Sequence, residues 1–195
     1  MMSDHRKRVR HYREPGDCHE LTFSCYRRLP LLTDDSWRRM FCMLVDRALS
    51  TRAFRLVAFV LMPEHVHLLV YPTKSDPDIH KLLAAIKRPY SFRVKQQLVD
   101  GNRQLLGQLT IRERPGKQTF RYWQEGPGYD RNFSSERATM NAIDYIHHNP
   151  VRRGLAQRAG DWKWSSARWY ESDRQIVVPD LPTIHGLPWE FFVES

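Results

Sequence analysis

No run in this chain approaches the roughly 18 apolar residues that a membrane span requires. The first residues, "MMSDHRKRVRHYREPGD", carry charge and have no apolar segment behind them, so no secretory signal is expected. The three cysteines, Cys18, Cys25 and Cys42, form no C-x-x-C pair and leave one over in any disulfide scheme. Free thiols in a reducing, cytoplasmic setting are the simpler expectation. There is no G-x-x-x-x-G-K-[ST] phosphate loop, so no nucleotide cofactor is implied, and there is no internal repeat or low-complexity tract.

What is present is a packed globule with an excess of positive charge. Hydrophobic residues make up 41% of the 195, with six Trp, nine Phe and eight Tyr, which suits a real core and argues against a disordered chain. The 31 Lys and Arg against 22 Asp and Glu leave a net charge of +9. Such an excess favours a polyanionic partner, most commonly nucleic acid, although a merely soluble basic protein carries the same charge.

The hydrophobic periods give an order of elements. Residues 1–16 form a basic arm containing "HRKRVRHYR". In "HELTFSCYRR", Leu21, Phe23 and Cys25 alternate with polar neighbours, the period of a half-buried strand. "LTDDSWRRMFCMLVDRALSTRA" turns helical, with Trp37, Met40, Phe41, Leu44, Val45 and Ala48 on one face and Asp34 or Asp35 as cap. "FRLVAFVLMP" and "HVHLLVYP" read as strands on either side of a Pro63-Glu64 corner. A second helix spans "DPDIHKLLAAIKRPYSFRVKQQLV", kinked or divided by Pro89. A further strand is expected in "GKQTFRYWQEGPG". A last helix then follows in "SSERATMNAIDYIHHNP", capped by Ser134 or Ser135 and ended by Pro150. The order β-α-β-β-α-β predicts an α+β, ferredoxin-like (split β-α-β) antiparallel sheet with helices on one face over residues 17–171, plus the extra helix. Residues 172–195 form an extension that either covers exposed surface or partly blocks the binding groove. The fold alone names no function.

Within "LMPEHVHLLV", three ionisable groups interrupt what should be a buried strand. Residues i and i+2 of a strand share a face, so His65 and His67 project side by side. Two imidazoles on one rigid strand are half of a metal site, and equally a hydrogen-bonded pair on an open sheet face. The remaining donors must come from another element. On "AIDYIHHNPVRRG", Tyr145 and Asn149 lie four apart on one helix face, where Asn149 can offer an amide oxygen to a hard cation. Taken alone, Tyr145 reads more commonly as a half-buried aromatic packed on the sheet.

These residues carry a resemblance. "MPEHVHLLV" looks like the HUH motif (histidine, hydrophobic, histidine) of the HUH endonucleases. "YIHHNPVRRGLAQRAGDWKWSSARWY" resembles the signature of their single-tyrosine transposases, in the REP-associated tyrosine transposase branch. The likeness runs from "CHELTFSCYRR" to Tyr170. It implies a metal-dependent endonuclease and strand transferase on single-stranded DNA, acting in DNA transposition and recombination on hairpin-forming repeats, as a monomer or homodimer. By the same resemblance Tyr145 is the catalytic nucleophile, leaving a 5′-phosphotyrosine, and His65, His67 and Asn149 hold a divalent metal, Mg²⁺ or Mn²⁺. Glu64 would orient an imidazole or a metal-bound water. His148 could carry protons or ligate, or simply stand exposed near the helix end, the reading we favour.

Arg6, Lys7, Arg8, Arg10 and Arg13 in the arm, with Arg152 and Arg153 after the helix, are the expected phosphate contacts. Trp162, Trp164, Trp169 and Tyr170 could stack unpaired bases, though the spacing of Trp162 and Trp164 favours anchoring of the C-terminal segment. Two other classes compete. A non-catalytic RNA-recognition-like binder would show aromatics, not histidines, on its central strands. A hydrolase built on the H-x-H pair would need a third acidic or imidazole ligand and no tyrosine.

Overall fold

The computed structural model describes residues 16–126 and 128–192. The arginines and lysine expected to act from the basic arm, Arg6 to Arg13, lie outside the described residues. The first strand, β1 (Cys18–Ser24), alternates as its sequence requires: Leu21 and Phe23 face one core, while Glu20 and Thr22 face the other way. Helix α1 (Asp35–Arg52) is capped by Asp34, whose carboxylate accepts from the amides of Ser36 and Trp37. It leads through Ala53 into β2 (Phe54–Leu61), which turns at Pro63-Glu64 into β3 (His65–Pro72). The corner is closed by the Met62 amide donating to the His65 carbonyl at 2.9 Å.

β3 pairs antiparallel with both β2 and β1, so β1 and β2 run parallel with β3 between them. That is the split β-α-β unit. α2 (Ile79–Gly101) passes Pro89 as one element, neither ending nor dividing there. A proline removes one backbone donor, and the apolar stripe of Leu82, Ile86, Tyr90 and Val94 is buried on both sides of it. After α3 (Arg103–Leu109), β4 (Thr110–Arg114) and β5 (Lys117–Phe120) form a separate two-stranded ribbon.

The expected strand in "GKQTFRYW" is therefore real but belongs to the ribbon. The main sheet, ordered β2-β3-β1-β6, takes its fourth strand from β6 (Tyr129–Phe133), beyond the glycine turn. "YDRNF" has little apolar alternation to read, because it is an edge strand held mainly by its ladder to β1 and by buried Phe133. Gly128 enters it at φ +85°, and a Cβ there would collide with the Thr22 carbonyl.

Helices α1 and α2 cover one face of the sheet. Their core is aromatic: the rings of Phe23, Phe41, Tyr90, Tyr122 and Trp123 pack edge-on or tilted, with centroids 4.8–6.2 Å apart. The fourth helix in the chain, α4 (Glu136–Arg152), covers part of the other face with Ala142, Ile143 and Ile146 against Val60 and Leu69. Ser135 caps α4, and Pro150 lies inside its last turn instead of at its end. All three cysteines are free and buried, and burial pushes the Cys18 and Cys25 thiols up to about 12.

The C-terminal segment closes the outer edge of β2. Ser165 bridges Val60, the Leu61 amide donates to the Trp164 carbonyl at 2.8 Å, and Trp162 Nε1 donates to the Leu61 carbonyl at 3.0 Å. Further on, the His185 amide reaches the Leu56 carbonyl at 2.9 Å, and Leu187 and Phe191 join the α4-side core. Trp162 and Trp164 thus anchor the segment, and residues 172–192 cover a strand edge that would otherwise expose unpaired backbone groups. Among the described residues, no helix is long and apolar enough to cross a membrane.

Candidate functional site

On the α4 face, β1 and β3 place four polar side chains in one patch. The register sets Thr22 directly opposite His67 and Ser24 opposite His65. Cross-strand neighbours on one face stand close enough to bond, and at His67 they do. Thr22 Oγ1 lies 2.9 Å from His67 Nδ1, and Glu20 Oε1, one pleat along the same strand, lies 3.0 Å from the same nitrogen. Glu64 Oε1 stands 3.0 Å from His65 Nδ1 and 3.0 Å from Arg153 Nη2, so this carboxylate joins the corner of the strand to the end of α4. The two imidazoles stand edge-on with centroids 5.0 Å apart.

Each histidine therefore has its Nδ1 held by a carboxylate. That fixes the ring, sets the tautomer and leaves Nε2 as the nitrogen free to ligate. Burial, then the neighbouring His67, pushes His65 down to about 4, so its imidazole is neutral at pH 7, the form that binds a metal.

α4 crosses this patch with Tyr145 on its near side. The Tyr145 and His67 rings meet edge-on at 5.9 Å, and the Arg152 guanidinium lies 5.0 Å from the Tyr145 ring centre. Tyr145 is 44% exposed, an unusual state for a tyrosine packed on a sheet, and its side chain is open to a large substrate. One turn on, Asn149 is buried, and its amide nitrogen donates to the Tyr145 carbonyl at 3.2 Å. That bond leaves the amide oxygen as the group available to a cation. Two imidazole nitrogens and a carboxamide oxygen suit a divalent ion such as Mn²⁺ or Mg²⁺. Among the described residues no three His, Cys, Asp or Glu side chains gather as a metal site.

Beside the patch opens a cleft of about 530 Å³, lined by Glu20, His67, Tyr129, Arg131, Asn141 and Tyr145 among others. Its size is that of a site for a small organic group. Of these residues, Glu20, Tyr129, Arg131 and Asn141 have none of the roles expected from the sequence. The visible signal for Glu20 is a carboxylate on a half-buried strand; that it bonds His67 depends on the β1–β3 register, which is not local information. Arg131 and Asn141 carry no comparable signal.

Two histidines and a tyrosine near the site's elements lie away from the cleft. His148 is exposed, with Nδ1 2.9 Å from the Asp144 carbonyl, and is not brought to the cleft. His147 is buried on the back of α4, 2.8 Å from Ser166 Oγ, and burial with the adjacent His148 pushes it down to about 4. Tyr122 is sealed in the aromatic core, where its hydroxyl meets that of Tyr90 at 3.2 Å and the Leu31 carbonyl at 3.1 Å.

The ferredoxin-like sheet thus carries an H-x-H pair on its central strand and a helix-borne tyrosine beside it. Residues 18–111, which hold both histidines and end before α4, match the family "Transposase IS200 like". It is 27% identical over 115 residues, 58% of this chain, to a Haemophilus influenzae protein that bears the name of the REP-associated tyrosine transposases. The matched stretch spans 58% of that relative's length. In three dimensions the chain is similar, with a TM-score of 0.65 and 20% identity over 94% of both chains, to a REP-associated tyrosine transposase solved bound to a REP hairpin.

Proposed function

We propose that the protein is a metal-dependent endonuclease and strand transferase for single-stranded DNA, acting on hairpin-forming repeats through a 5′-phosphotyrosine. The observation that carries this reading is the exposed Tyr145 edge-on to His67, with both histidines oriented by carboxylates.

In this reading Tyr145 Oη attacks the scissile phosphorus in line. The Oη–P bond forms, the P–O3′ bond breaks, the phenolic proton is lost, and the departing O3′ leaves as a hydroxyl after taking up a proton. A 3′-hydroxyl from the same or another strand reverses the step, so bond energy is retained without a nucleotide. A divalent ion held by His65, His67 and Asn149 would supply charge neutralisation on the phosphate. Arg152, over the Tyr145 ring, adds positive charge beside the position where the phosphate must lie. Glu20 and Thr22 hold His67, and Glu64 holds His65, so the ligand geometry exists before substrate arrives.

The test is capture of a covalent protein–DNA adduct on a hairpin-tailed single strand. Adduct should form with Mg²⁺ or Mn²⁺, and should vanish in EDTA, in His65→Ala and in His67→Ala. Full adduct in chelator, rescue by Zn²⁺ alone, or cleavage of duplex and hairpin alike at near-physiological salt would overturn the reading.

A further inference from the structure

Between β1 and α1, two successive residues stand in the left-handed region, Arg27 at φ +53° and Arg28 at φ +54°. Each crowds its Cβ against its own carbonyl, a strain that glycine avoids and asparagine tolerates, yet both positions hold arginine. The surroundings impose the conformation. The Cys25 amide donates to the Glu64 carbonyl at 2.8 Å and the Tyr26 amide to the Tyr122 carbonyl at 2.7 Å. The Arg27 amide donates to Gln124 Oε1 at 3.1 Å, and the Arg28 amide back to the Cys25 carbonyl at 3.0 Å. Four consecutive amides are thereby fixed, and with them the direction in which the two side chains leave the backbone. Strain held this firmly collects at ligand clamps and active sites.

The turn stands at the His65 end of the α4 face. Ser24, the last residue of β1, is directly opposite His65. Arg27 lies over the Tyr26 ring, 5.2 Å from its centre. Arg28 is exposed and has no carboxylate partner among the described residues, and the Glu64 carboxylate is already engaged by His65 and Arg153. The Arg28 charge is felt at His65 all the same: after burial and the neighbouring His67, it is a further group that disfavours the protonated ring. A bare guanidinium beside the ligands of a divalent cation repels that cation. An anion between the two reverses the sign, and a phosphate does so in the geometry that arginine matches best, two parallel N–H···O bonds. Tyr145 stands at His67 and Arg28 at the His65 end, so the phosphate that Tyr145 attacks is not the one within reach of Arg28.

We propose that Arg28, aimed by the strained turn, clamps the phosphate next to the scissile one and so fixes the direction of the DNA strand across the histidine pair. The proposal rests on the reading of Tyr145 as nucleophile. It adds a contact at the other end of the pair from the cleft, made to the backbone and therefore indifferent to base sequence.

The experiment uses the full chain and adduct formation on a hairpin-tailed single strand, whose cleaved position is first read from the wild-type product. A neutral methylphosphonate then replaces, one at a time, the two phosphates that flank the scissile one. In the wild type one of these replacements should slow single-turnover adduct formation by about ten- to a hundredfold. Arg28→Gln should slow the unmodified strand by the same factor, and the replacement that hurt the wild type should cost this variant nothing more. Arg28→Gly separates clamp from fold: its rate should fall as in Arg28→Gln, while its urea midpoint stays level or rises, because glycine relieves the left-handed strain. Circular dichroism checks that both variants fold. A full rate in Arg28→Gln, losses from variant and replacement that simply multiply, or a lowered midpoint in Arg28→Gly would overturn the clamp. Absence of any adduct with the wild type would overturn the reading of Tyr145, and the clamp with it.

Discussion

The two faces of the sheet are built from the same four strands and could hardly differ more. Towards α1 and α2 the strands β1, β2 and β3 present apolar side chains, and the five packed aromatic rings close the layer. Towards α4 the same sheet presents Glu20, Thr22, His65 and His67, and a single helix covers them incompletely. A strand alternates its side chains, so one sequence can dedicate one face to stability and the other to chemistry. The lesson is energetic. Burying an aromatic ring contributes stability directly, whereas two imidazoles and two carboxylates buried together must each find a partner to avoid a cost of a few kcal/mol. Here each ring nitrogen Nδ1 has one.

The sharpest way to break this contrast is one substitution made twice. Tyr145→Phe, on the open face, should abolish adduct formation, a loss of at least about ten-thousandfold, while stability stays within about 0.5 kcal/mol. Tyr90→Phe, on the sealed face, removes a hydroxyl bonded to Tyr122 and should cost about 1 kcal/mol in urea unfolding while cleavage persists. Adduct formation by the Tyr145→Phe variant would transfer suspicion to Tyr129, which is 56% exposed and lines the same cleft.

Glu20 sharpens the picture further. As the carboxylate on His67 Nδ1 it is a positioning residue, not a catalytic one. Glu20→Gln should weaken Mn²⁺ binding, measured calorimetrically, by about ten- to a hundredfold. The same affinity in the variant would leave Thr22 as the group that holds the ring.

Acid sensitivity should come from the polar face of the sheet and from the back of the helix that covers it. His147 and His65 both titrate at about 4 in the fold, against 6.5 ordinarily, in each case chiefly because burial disfavours the charged ring. The unfolded chain therefore takes up protons first as pH falls. Their stability contribution is complete above 6.5 and is lost progressively down to 4. Between pH 6.5 and 5 each should account for roughly 1.5 kcal/mol, about a fifteenfold change. His147→Gln keeps a bond to Ser166 but cannot titrate, so the acid-induced loss in urea midpoint, followed in EDTA, should shrink by about half. An undiminished pH dependence would assign the effect elsewhere.

Most of the open face is legible in the sequence because its signals are local. The i, i+2 spacing of His65 and His67 and the i, i+4 spacing of Tyr145 and Asn149 fix shared faces without knowledge of the fold. His148 illustrates the same rule: at about 100° per residue it falls about 60° from Tyr145 on the side away from Asn149, and it ends exposed. What is illegible depends on pairing. Glu20 meets His67 only through the β1–β3 register, and β6 joins the sheet through backbone ladders that leave little mark in "YDRNF". Ser166, which receives His147, comes from the segment bound to the β2 edge, 19 residues along the chain.

The smallest effect tests the joint between the two faces. Ala53 lies between α1, which belongs to the sealed face, and β2, which serves both, and it adopts φ +60° and ψ +55°. Its amide closes the helix on the Leu49 carbonyl, and its own carbonyl accepts from the Thr73 amide at 2.9 Å, so the turn is held at both ends. A left-handed residue with a Cβ crowds its own carbonyl, a strain of about 1 kcal/mol that glycine lacks. Glycine also gains freedom in the unfolded chain, which offsets part of that relief. Ala53→Gly should therefore raise stability by no more than about 0.5 to 1 kcal/mol, read as a shift in urea midpoint at constant slope. The joint does not line the cleft, so adduct yield should not change. A loss of stability would mean that the Ala53 methyl group packs usefully and that the left-handed turn is not a strained one.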